Sequence, residues 1–211
     1  MKYGVRHQES YSRGELILRT LFGGLYIALP HALALIFLMI GSMFINIIAF
    51  WAILITGKFP EGLFNYQLNL QRWSLRVNAR LMNLSDGYPA FGLSSQDSNI
   101  MIELERQESY SRLTVLLRQM FGFIYVYIPH MICLLFLQIG VMFVRLIAFW
   151  VVLITAKYPK GMHDYMVGVM RWAYRIAIYM SFMTDKYPPF SMKGDEADFN
   201  GKIQSDELLD S

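Results

Sequence analysis

The chain has 211 residues, 55% apolar and 17% charged, with a net charge of +3 and a mean hydropathy of +0.34. That is too apolar for an ordinary soluble domain, and its Lys and Arg residues flank apolar runs instead of clustering on a soluble surface, so no nucleic-acid partner is expected. The single cysteine, Cys133, lies within an apolar run and excludes an intrachain disulfide.

The first ten residues are short and polar, with charges of both signs and no signal-peptide pattern. Residues 11–91 then align with 110–190 at a constant offset of 99, without gaps and with 35 identities over 81 positions. A tandem repeat built round a long apolar stretch is the signature of an integral membrane module. The expected domains are therefore a membrane repeat at 11–91, a polar linker at 92–109, a second repeat at 110–190 and an acidic tail at 191–211.

Each repeat opens with its apolar run. Residues 20–56 carry no charge, and residues 119–155 carry only Arg145. As helix, residues 20–57 measure about 57 Å, against about 30 Å of bilayer hydrocarbon. The run is too long for one crossing and enough for two, so a transmembrane helical hairpin turning near Gly41 and Ser42 is expected. The charges agree: of 19 Lys and Arg, 18 lie outside the runs, and hairpins would place them all on the cytoplasmic face. The alternative is one tilted span per copy preceded by an interfacial helix.

A turn containing Lys58, Pro60 and Gly62 follows, matched by Lys157, Pro159 and Gly161. The next segment has Leu63, Tyr66, Leu70, Trp73, Val77, Leu81 and Leu84 on one helical face. Asn65, Asn69, Arg72, Arg76, Arg80 and Asn83 lie opposite. That pattern predicts an amphipathic interfacial helix. The second copy keeps Arg171, Trp172 and Arg175 but puts Gly168, Ile178 and Phe182 on the formerly polar face, which predicts one wet face and one packed face. The linker turns helix-like at residues 100–105, and the tail from Lys193 onward is acidic.

Several strings together resemble a known family. They are Pro30-His31, the Ala-Phe-Trp before a Leu-Ile-Thr-Gly-Lys-Phe-Pro turn, the Arg72-Trp73 helix and the closing Asp86-x-Tyr88-Pro89-x-Phe91, each with its counterpart in the second copy. Both copies resemble the bacterial membrane family catalogued as domain-of-unknown-function family 4389, over about four fifths of the chain. Ala90 and Ala156 depart from the proline and glycine of that pattern. The resemblance implies a bacterial inner-membrane protein and brings no catalytic residue with it.

Candidate sites are few. His31 and His130 are intramembrane polar candidates: they either help satisfy the carbonyl that each preceding proline leaves without a donor, or they handle protons or a haem iron. Arg145 either snorkels to a headgroup layer or contacts a subunit or substrate. Arg72, Arg76, Arg80, Arg171 and Arg175 suit lipid phosphates, as anchors or as a specific site. Asp86 and Asp185 suit turns, or ion pairs with Arg19 and Arg118. Gly168, Ile178 and Phe182 are partner-contact candidates. No phosphate loop, metal spacing or nucleophile set is present, so no enzyme and no cofactor is expected. The expected fold is an all-α membrane protein. Its expected role is a non-catalytic scaffold or accessory subunit of the inner membrane, multi-pass with cytoplasmic termini, binding the lipid bilayer and either a membrane-protein partner or another copy (homo-oligomer). The alternative is a lipid, ion or proton conduit between the repeats.

Overall fold

The computed structural model describes residues 1–194; the acidic tail falls, from residue 195, outside the described residues. The architecture is the expected helical tandem repeat, but its longest element is not a hairpin. Helix α1 (Arg13–Gly23) runs through one π-helical turn (Gly24–Ala28) into α2 (Leu29–Thr56), a single helix of 44 residues. The second copy repeats it with α4 (Arg112–Gly122), a π turn (Phe123–Tyr127) and α5 (Ile128–Thr155).

Local chemistry explains both ends and the irregularity. The Ser12 hydroxyl accepts from the Glu15 N–H at 3.3 Å, and Ser111 does the same for Thr114 at 3.2 Å, satisfying donors that a helix start leaves free. Pro30 has no N–H to give the Tyr26 carbonyl. The ladder shifts to a π turn just ahead of it, with Leu29 N–H bonded to the Gly24 carbonyl. Each long helix ends in a left-handed residue, Gly57 at φ 72° and Ala156 at φ 57°.

The expected turn at Gly41 and Ser42 is overturned, because nothing there breaks the helix. Gly41 and Gly140 serve close approach instead. The Tyr66 hydroxyl donates to the Leu38 carbonyl at 2.8 Å and Tyr165 to Leu137 at 2.9 Å. A Cβ on Gly41 would lie 3.1 Å from the Tyr66 hydroxyl, and one on Gly140 would overlap the Tyr165 hydroxyl.

After the Pro60 turn, α3 (Glu61–Leu81) folds back antiparallel along α2, and α6 (Lys160–Met180) along α5. This corrects the expectation of an interfacial helix. Leu70, Trp73 and Val77 pack with Ile27 and Leu35 of the long helix, not with lipid. Arg76 and Arg80 on the opposite stripe are buried as well. The helix-like expectation for 100–105 is also overturned. Residues Ile100–Glu103 form strand β2, antiparallel to β1 (Lys2–Val5) with Tyr3 opposite Ile102. Each four-residue strand is too short for its periodicity to separate strand from helix.

The two repeats close on each other end to end. The Tyr11 N–H donates to the Ala156 carbonyl and the Tyr110 N–H to the Gly57 carbonyl, both at 2.8 Å. The Arg13 guanidinium donates to Ile154 at 2.7 Å and Arg112 to Ile55 at 3.0 Å. Start therefore meets end, and the long helices are antiparallel. Away from α3, the long helix shows a continuous apolar stripe. Every exposed position from Leu21 to Ile55 is apolar, with Phe37 74% and Ile55 72% exposed. The second copy matches it, with Phe136 68% and Ile154 71% exposed, interrupted by Gln138 and Arg145.

Candidate functional site: a histidine–tryptophan lock and an arginine clamp

The residues that recur in both copies converge on one assembly per repeat. The Trp73 indole N–H donates to His31 Nδ1 at 2.8 Å, and Trp172 donates to His130 Nδ1 at the same distance. Phe91 stacks on His31 with ring centres 3.8 Å apart, and Phe190 on His130 at 3.9 Å. The Tyr88 hydroxyl donates to the Tyr26 carbonyl at 3.1 Å, and Tyr187 to Tyr125 at 3.0 Å. Those are the carbonyls whose helical donors Pro30 and Pro129 remove. In both copies it is the tyrosine, and not the imidazole, that reaches the carbonyl the proline leaves without a donor.

An imidazole that accepts at Nδ1 is neutral and carries its proton on Nε2. His130 Nε2 lies 3.2 Å from the Tyr187 oxygen and donates to it. The lone pair that would bind a haem iron is taken by tryptophan, and one ring face is covered by phenylalanine. Among the described residues, no three His, Cys, Asp or Glu side chains group as metal ligands.

The closing aspartates cap the opposite end. Asp86 accepts from the Ser12 N–H at 2.6 Å and from Arg19 at 2.6 Å. Asp185 accepts from Ser111 at 2.7 Å and, more loosely, from Arg118 at 3.4 Å. The backbone N–H of each aspartate donates to Gln8 or Gln107 at 2.8 Å. These glutamines escaped the site reading, although their match at the 99-residue offset was visible.

The arginines expected at lipid phosphates bond instead to the chain's own carbonyls and to one carboxylate. Arg72 donates to the Ile102 carbonyl at 2.9 Å, and Arg76 to the Ser95 and Gly92 carbonyls at 2.7 and 2.6 Å. Arg80 pairs with Asp97 at 2.7 Å. Arg171 donates to Met192 at 2.8 Å and Tyr3 at 3.3 Å, and Arg175 to Ser191 at 3.3 Å. The guanidiniums clamp the backbone that follows each closing phenylalanine. Burial pulls the Arg76 and Arg80 pKa values below the usual guanidinium value, with the Asp97 carboxylate opposing that pull.

Arg145 stays exposed at the stripe's edge and reaches the Leu81 carbonyl at 3.3 Å, at the end of α3 in the other repeat. Ile178 and Phe182 are buried inside the chain, and Met192 covers Gly168. The partner these three were expected to meet is the chain itself: Phe182 packs on Phe50 of the first repeat, rings 6.0 Å apart. Of the expected wet face only part stays open, because Arg76 and Arg80 are buried. Beside Asn69 a polar groove of about 770 Å³ stays open, lined by Arg6, Arg72, Arg76, Ser95 and Glu103 among others.

The model of a family described as a domain of unknown function, DUF4389, matches residues 15–92 and again 112–192. No curated protein and no solved structure matches the chain.

Proposed function

The chain belongs to the DUF4389 family, with two copies of the domain in tandem, and from that premise we propose that it is a non-catalytic scaffold or accessory subunit of the bacterial inner membrane. It docks a membrane-protein partner or a second copy of itself and keeps its termini in the cytoplasm. One observation carries the reading: the apolar stripe on both long helices, which only a non-aqueous environment can cover. Core helices of a soluble protein would be mostly buried, whereas only 11% and 17% of the most apolar windows here are.

The polar groups support a scaffold over a conduit. In the first repeat Gln67 bridges Ser42 at 3.2 Å and Asn46 at 3.0 Å. The equivalent positions in the second are Met166, Val141 and Arg145. A polar path through one repeat has no continuation in the other. The histidines and clamp arginines are occupied holding segments together. The open groove beside Asn69 is then the face for a partner.

The test combines fractionation with recovery in mild detergent. The protein should stay with inner membranes through high-salt and alkaline washes and come out with a partner or as an oligomer. Asn69→Trp, which thrusts a bulky ring into the groove, should abolish that association and leave membrane retention intact. Release into the soluble fraction would overturn the membrane reading; unchanged association in Asn69→Trp would overturn the docking face.

A further inference from the structure

We infer that the protein lies within one leaflet, its long helices parallel to the bilayer plane, and does not cross the membrane. The inference rests on the membrane reading above and fixes its geometry.

The internal symmetry supplies the first step. The contacts from Tyr11 to Ala156 and from Tyr110 to Gly57 are equivalent at the 99-residue offset, as are those from Arg13 to Ile154 and from Arg112 to Ile55. Reciprocal contacts of this kind define an approximate two-fold axis. Because the axis reverses the direction of the long helices, it is perpendicular to them, and a face that points along the axis points the same way on both. The apolar stripes therefore form one surface. Helices α3 and α6 lie together on the other side, joined by the Asn78 amide donating to the Tyr174 hydroxyl at 3.0 Å.

The second step is where the charges fall. Tyr3 and Ile102 are equivalent at the offset and pair directly across the β ribbon, so the axis passes through the ribbon. Beside it is the ion pair of Lys2 and Glu103, 3.0 Å long with side chains 45% and 41% exposed. Were the long helices to cross the bilayer, their perpendicular axis would lie at mid-depth. The exposed Lys2 and Glu103, and the groove lined by Arg6, Arg72 and Asp97, would then face hydrocarbon, where charges are strongly disfavoured.

Length gives the third. The stripe from Leu21 to Ile55 measures about 51 Å at 1.5 Å per residue, against a hydrocarbon core of about 30 Å. Fitting it across would need a tilt of more than about 50°, beyond the roughly 0–40° that spanning helices adopt. Laid in the plane, the stripe meets acyl chains along its whole length, at the depth an interfacial helix occupies. The ribbon and the groove then face one aqueous compartment, and Arg145, at the stripe's edge, turns back to the Leu81 carbonyl.

The experiment uses the full chain with Cys133→Ser and single cysteines at Lys58→Cys or Lys157→Cys, exposed residues just past opposite ends of the antiparallel pair. An impermeant maleimide should modify both in inverted inner-membrane vesicles and neither in intact spheroplasts. Labelling of the two from opposite sides would overturn the in-plane geometry and leave the membrane reading standing; loss from the membrane fraction would overturn both. In vesicles of phosphatidylethanolamine and phosphatidylglycerol, a nitroxide at Phe37→Cys should be relaxed by oxygen at least several-fold more than by a water-soluble nickel chelate, and one at Lys2→Cys the reverse. A Phe37 label shielded from both relaxants would show the stripe covered by a second copy and overturn the proposal.

Discussion

At equivalent positions the two repeats reach one backbone arrangement through different chemistry. Arg19 is held by three oxygens: Glu15 at 2.8 Å, Asn83 at 3.0 Å and Asp86 at 2.6 Å. Its counterpart Arg118 lies over the Tyr179 ring, 3.7 Å from the centroid, and 5.6 Å from that of Phe182, while donating to the Tyr179 carbonyl. Tyr179 stands where the first repeat has Arg80, which pairs with Asp97. The first repeat is held at this corner by matched polar groups, the second by aromatic burial. Matched sets fail when one member goes, whereas an aromatic seat is more tolerant.

The largest effect should come from that difference. Arg19→Met leaves Asp86 and Asn83 without their cation and should cost about 3–5 kcal/mol, the range for breaking a buried ion pair. Arg118→Met keeps an apolar chain on Tyr179 and loses the bond to the Tyr179 carbonyl and a loose carboxylate contact, so it should cost less than Arg19→Met. Thermal unfolding in mild detergent ranks the two; equal losses would erase the distinction.

A second difference lies at the helix crossings. The first repeat puts Phe59, Phe64 and Arg106 where the second has Tyr158, His163 and His7. His7 donates to the Tyr158 carbonyl at 2.7 Å and packs edge-on to His163, rings 4.9 Å apart. Burial and then the neighbouring His7 push the His163 pKa down from 6.5 to about 4, with the Asp164 carboxylate opposing. The folded state thus binds its proton later than the unfolded chain. The associated stability is full above pH 6.5 and drains away as the pH falls towards 4, by about 2–3 kcal/mol. His163→Phe, the residue of the first repeat, should flatten that slope in unfolding titrations over this range; an unchanged slope would move its source elsewhere.

The smallest expected difference concerns Gly41 and Gly140. Gly140→Ala drives a methyl into the Tyr165 hydroxyl and should cost about 1–3 kcal/mol. Gly41→Ala meets Tyr66 at 3.1 Å, and the gain in helix propensity, up to about 1 kcal/mol, offsets most of the crowding. Parallel melts of the two alanine variants decide it.

Much of this was legible in the chain. The offset of 99 located both repeats, the proline turn located the reversal before α3, and the invariant pieces of the two copies proved to be the parts that touch. What was not legible has a physical reason in each case. The length of an apolar run counts residues but not direction, so one 44-residue helix and a hairpin share a signature. Arg72 and Arg76 one turn apart look the same whether they meet phosphates or carbonyls, and their partners at 92–95 and 102 belong to a linker with little pattern of its own. The apolar conversion at Ile178 and Phe182 correctly signalled burial but could not say that the cover was the other repeat. Phe182 even holds a left-handed backbone, φ 60°, where the first copy has the better-suited Asn83 at 58°.

The end-to-end closure between repeats also has a consequence for the order of events during synthesis. The Gly57 carbonyl receives its donor, Tyr110, after roughly 50 further residues, but the Tyr11 N–H must wait roughly 145 for Ala156. At about 5–20 residues per second that wait is on the order of 7–30 s. Strand β1 stands ready just as early, with its pairing partner almost a hundred residues away. The first repeat therefore emerges with one end of its long helix and the strand β1 ahead of it uncommitted, and the newborn chain has to be kept from finding other partners until the second repeat arrives. Two single-repeat chains could satisfy the same contacts only by meeting each other; joining them in one polypeptide turns a concentration-dependent encounter into a delay of fixed length.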